Sequence, residues 1–208
     1  HLLTAAICSV MVVPNRSFYD CCSSPNFQMR VIKLLQTAPA PLCCWLLLII
    51  RNSYQVSIPD ITQDSFEPLL VQCSSLVYHP VYLVRSCAVS VLTCFVSTFN
   101  VPVNARILYI CLPSLFDCSY LVRFYFMILC CRLTASAPDF DREHFTPYKS
   151  PSQFFGHVYG DDKKRYFLEF LGKIDELSKD DGFVDKALEI AWSSLHKLAK
   201  DPNPAIRR

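Results

Sequence analysis

The chain has 208 residues, 52% hydrophobic and 18% charged, with only 4 glycines and a formal charge of +2. That length suffices for a packed core, and the apolar content excludes a disordered chain. So few glycines argue against a turn-rich β sandwich or a glycine-rich phosphate loop, and the near-neutral balance argues against a dedicated nucleic-acid domain.

Taken in order, the chain starts at His1 inside an apolar run over residues 2–13, and a second run covers 41–50. Arg16 and Arg51 bound these runs short of the about 20 apolar residues that a spanning helix needs. Both are read as buried helices, with no integral membrane insertion. With no initiator Met at the start and Arg207-Arg208 opening a helix at the end, the chain is expected to be a fragment of a longer protein.

Asp64 and Ser65 are expected to cap a helix running to about 77, with Phe66, Leu69, Leu70, Cys73 and Leu76 at helical spacing. His79-Pro80 breaks it. A second helix is predicted over 81–99, with Val84, Ala88, Val91, Leu92 and Phe95 on one face. Others follow over 104–115, closed by Pro113, and over 120–134. Residues 163–177 place Phe167, Phe170, Leu171, Ile174 and Leu177 inward, and 184–199 place Ala187, Leu188, Ala191, Leu195 and Leu198 inward. Asp180-Asp181-Gly182 reads as the turn between these two.

Composition changes near 137. Residues 1–138 carry 8 Lys/Arg, 5 Asp/Glu and all 12 Cys; residues 139–208 carry 12 Lys/Arg, 13 Asp/Glu and no Cys. The expected organisation is therefore an apolar Cys-rich block over 1–136, a Pro-rich loop or insertion over 137–160, and a charged amphipathic block over 161–208. The cysteines lie in apolar helical stretches without zinc-ligand spacing, so reduced core cysteines in a cytoplasmic protein are expected.

One junction recurs. Pro25 precedes Met29-Arg30, Pro80 precedes Val84-Arg85, Cys118 precedes Val122-Arg123, and Pro202 precedes Ile206-Arg207. The Pro or Cys stands five residues before the Arg each time, and the arginines are 55, 38 and 84 residues apart, the last being about two units of 42. Pro at the first turn of a second helix costs no hydrogen bond. The following Val or Ile is expected to bury against a neighbouring repeat, and the Arg to reach across to an acidic side chain or a carbonyl. Pro25, Arg30, Pro80, Val84, Arg85, Val122, Arg123, Pro202 and Arg207 are thus the expected structural junctions. The expected fold is an all-α superhelix of helical hairpins, an α-solenoid of the HEAT or armadillo class.

Residues 66–133 carry a closer resemblance. They hold Phe66-x-Pro68, then Cys73 and Ser75-x-x-x-His79-Pro80-Val81-Tyr82-x-x-Arg85. Ala88-x-x-x-Leu92, Pro102-x-x-x-Arg106-x-Leu108 and Leu112-Pro113-Ser114 follow. This stretch, a third of the chain, resembles the core of the thyroid adenoma-associated protein family. It departs from the family at Ser86-Cys87-Ala88-Val89-Ser90, where the family pattern is more Ala-rich, and residues 139–208 match only loosely. The resemblance implies a large cytosolic HEAT solenoid. Its implied role is to bind a separate tRNA 2′-O-methyltransferase and help present tRNA for anticodon-loop methylation, without methyl-transfer chemistry of its own.

Chemistry-bearing patterns are sparse. His144 and His157 stand among acidic residues without a ligand spacing, and no G-x-S-x-G or H-E-x-x-H occurs. No catalytic residue, cofactor, metal or small-molecule substrate is expected. Lys163, Lys164, Arg165 and Tyr166 form the densest basic run and are the candidate contact for RNA or a partner. Two other readings remain: a general HEAT adaptor with protein partners only, and a cysteine- or metal-dependent enzyme.

Overall fold

The computed structural model describes residues 25–56, 63–96, 101–137 and 171–207. The described residues are helical, with no strand among them. They fall into two compact units, His1–Cys94 and Phe95–Arg208.

In the first unit, α1 (Pro25–Thr37) and α2 (Ala40–Val56) are joined by Ala38-Pro39 and pack on each other. Pro39 cannot continue α1, and its carbonyl accepts from the Cys43 N–H at 3.0 Å to start α2. The second pair is α3 (Gln63–Leu76) and α4 (Tyr82–Val96), and α3 packs on α1. Arg51 Nη1 on α2 donates to Ser90 Oγ on α4 at 3.3 Å, and Gln55 Nε2 meets Cys94 Sγ at 3.5 Å. Both pairs join residues 39 apart in sequence, so one turn along α2 matches one turn along α4. Two successive hairpins therefore place their second helices side by side in the same direction. The expected stripe on α3 (Phe66, Leu69, Leu70, Cys73, Leu76) is buried, as are Val84, Ala88, Val91 and Leu92 on α4.

α4 is buried on more than one face, which a single-stripe reading did not anticipate. Ser86, Ser90 and Thr93 are buried along with the apolar residues. Ser86 and Thr93 return their hydroxyls to Leu83 O (2.9 Å) and Val89 O (2.7 Å) of their own helix.

In the second unit, α5 (Val101–Cys111) runs into a 3-10 turn (Leu112–Phe116), and α6 (Tyr120–Ala135) follows. The α-helix ends at Cys111 because Pro113 has no N–H to continue the ladder, and the tighter turn takes over. α7 covers 171–177, α8 is Phe183–Leu198 and α9 is Pro204–Arg207. α8 packs on both α5 and α6, and α9 packs on α6. Tyr109 of α5 stacks on Phe183 of α8 at 5.0 Å, and Arg106 of α5 pairs with Asp175 of α7 at 3.1 Å. Leu171, Ile174, Ala187, Leu188, Ala191 and Leu198 are buried as expected, whereas Leu177 is exposed because α7 stops there. No helix among the described residues is long and apolar enough to cross a membrane. The expected insertion over 137–160 lies almost wholly outside the described residues.

Candidate functional site

Three of the four junctions fold alike. Arg85 Nη1 donates to His79 O and Pro80 O, each at 2.9 Å. Arg123 Nη1 donates to Asp117 O (2.6 Å) and Cys118 O (3.1 Å). Arg207 Nη1 donates to Asp201 O (2.7 Å) and Pro202 O (3.0 Å). Each Arg thus turns back on the two carbonyls that lead into its own helix. The residue before it is buried: Val84 is 0% exposed, Val122 0% and Ile206 3%. Pro80 and Pro202 stand two residues ahead of their helices, in the corner and not in the first turn.

The position six residues before the Arg completes the corner; the sequence reading gives His79 the role of a turn residue there, with Pro80, but gives Asp117 and Asp201 none. His79 Nδ1 accepts from the Val81 N–H at 3.1 Å, Asp117 Oδ1 from the Ser119 N–H at 2.8 Å, and Asp201 Oδ1 from the Asn203 N–H at 2.8 Å. In each case a side chain satisfies the N–H two residues on, the preference that places Asp at turn starts. That preference was a readable signal. The first copy departs: Met29 is 51% exposed and Arg30 is also exposed, so no buried plug precedes this Arg. Pro25 there is the first residue of α1.

Arg123 also reaches an acidic side chain 78 residues on. Its Nε and Nη2 grip Asp201 Oδ2 at 2.6 Å and Oδ1 at 3.0 Å, joining the Arg123 corner to the Arg207 corner. The two side chains are 14% and 5% exposed. Hydrogen bonds from Arg123 hold the Asp201 carboxyl below its usual range, against the opposing effect of burial.

Beside this pair lies a groove of about 280 Å³ lined by Leu115, Phe116, Arg123, Lys197, Leu198, Lys200, Asp201 and Pro202. Its floor is aliphatic and its rim carries two exposed lysines. Phe116 is 58% exposed, and the Lys197 ammonium sits 5.3 Å from its ring centroid.

The cysteines among the described residues are free thiols. Burial raises Cys73 and Cys87 to about 12 and pushes Cys111 and Cys130 up as well. Burial dominates each shift, the reverse of the electropositive setting that activates a nucleophile. Cys44 and Cys87 share a thiol hydrogen bond between α2 and α4. Lys163, Lys164, Arg165 and Tyr166, like His144 and His157, lie outside the described residues. No protein-family model matches this chain, and neither a curated protein nor a solved structure is significantly similar to it.

Proposed function

We propose that this chain is part of a HEAT-type scaffold without catalytic chemistry, acting in the cytoplasm. It binds a tRNA 2′-O-methyltransferase and helps present tRNA for anticodon-loop methylation. The observation that carries the scaffold reading is the repeated corner, with the Arg123 corner tied to the Arg207 corner through Asp201. Hairpins linked in this way depend on their neighbours for burial and offer long outer surfaces in place of an enclosed pocket. The identity of the partners rests on the resemblance carried by residues 66–133.

The test is co-purification of the whole chain with a tRNA methyltransferase and tRNA. Recovery of both is expected, with tRNA retention falling steeply as salt rises. Recovery of neither overturns the assignment. A second reading, an adaptor with protein partners only, is supported by the aliphatic floor of the groove at Leu115 and Leu198. It expects partner binding that changes little with salt and no tRNA.

A further inference from the structure

We propose that the groove at the start of α6 binds an acidic linear segment of a partner protein. One apolar side chain of that segment seats on Leu115, Leu198 and Pro202, and its flanking carboxylates meet Lys197 and Lys200. This deepens the scaffold reading and rests on it, but does not depend on tRNA.

Three observations select this occupant. The first is shape: the groove is open and about 280 Å³, room for one or two side chains and at the small end of the range for small-molecule pockets. The second is charge. Asp201, the acidic residue in the lining, has both oxygens committed to Arg123, and Oδ1 also accepts from the Asn203 N–H. It is not available to the lysines, and among the described residues neither Lys197 nor Lys200 has a carboxylate partner. Two uncompensated ammonium groups therefore flank an apolar floor, the complement of a leucine between glutamates.

The third observation separates a peptide from a nucleic acid. Phe116 is the aromatic ring of the groove, and Lys197 already occupies the approach to it at 5.3 Å. A stacking base would have to displace that ammonium, and the remaining floor is aliphatic, whereas single-strand binders offer open aromatic platforms. A carboxylate can meet Lys197 where it stands. The walls are held by the Arg123–Asp201 pair and by the corner carbonyls, so the groove exists before binding and little ordering is required of it.

The experiment uses the whole chain and a fluorescein-labelled peptide with two leucines flanked by glutamates, followed by anisotropy. Binding is expected, weakening as salt rises, with none for the same peptide carrying lysines in place of glutamates. Reversing both rim charges (Lys197→Glu with Lys200→Glu) is expected to weaken it about tenfold. Both lysines are exposed, so the thermal melt of this variant should match wild type. Phe116→Ala, also at an exposed position, provides a second variant and should weaken binding severalfold by removing one apolar wall. The proposal is overturned if the acidic peptide does not bind, if it binds the charge-reversed chain equally well, or if oligouridine displaces it. A charge-reversed chain that loses the peptide yet still retains the methyltransferase leaves the scaffold reading intact and separates the two sites. A chain that binds the peptide but recovers no macromolecular partner keeps the groove and removes the scaffold assignment.

Discussion

Arg123 divides its guanidinium between two tasks. Nη1 closes its own corner on Asp117 O and Cys118 O, while Nε and Nη2 take the Asp201 carboxylate as a fork. A lysine cannot do both, because its single ammonium lacks the planar fork. Arg123→Lys is therefore expected to lower stability despite keeping the charge. A double-mutant cycle with Asp201→Asn should return a coupling of about 1–3 kcal/mol in denaturant melts. A coupling near zero would mean that the pair sits at the corner without holding it. The pH dependence has a definite sign. The folded Asp201 carboxyl is held below its usual range, so its contribution is present above the unfolded value of about 3.9 and is lost as pH falls through the lower folded value. Asp201→Asn should flatten that part of the acid unfolding profile, as followed by circular dichroism.

At the level of the helix, the corner places a fully buried Val or Ile just after the turn and an Arg next to it. Val84→Ala and Val122→Ala should each cost about 2 kcal/mol, since each removes two methyl groups from a packed site. Met29→Ala, at the corresponding position of the first copy, should stay within about 0.5 kcal/mol because that side chain is half exposed. Equal losses at all three positions would show that the first copy shares the device after all. Most helices were legible in the sequence because their stripes have a clear period: Phe66 to Leu76 on α3 and Ala187 to Leu198 on α8 are the best examples. Less legible was the end of α5, where Pro113 changes the helix type before the chain turns. α4 read as one-sided because its buried serines and threonine look like a solvated face, although Ser86 and Thr93 bond within their own helix. The groove was not legible at all. Phe116 and Lys197 are far apart in sequence and meet only because α8 packs across α5 and α6.

For the molecule as a whole, twelve cysteines in 208 residues raise the question of redox chemistry. Within each unit, Cys73, Cys111 and Cys130 are fully buried and held as thiols, whereas Cys118 is exposed at a corner. Among the described cysteines, iodoacetamide at neutral pH should modify the exposed Cys118 and Cys131 and leave those three untouched until the chain unfolds, as read by peptide mass spectrometry. Early labelling of Cys73 would contradict the packing of α3. The recurring clasp also bears on how such a chain changes over time. Its arginine is anchored on main-chain oxygens, which every residue supplies, so the clasp itself makes no demand on the side chain at the Pro or Cys position. Pro80 and Cys118 hold equivalent places with unlike side chains, and the turn closes in both.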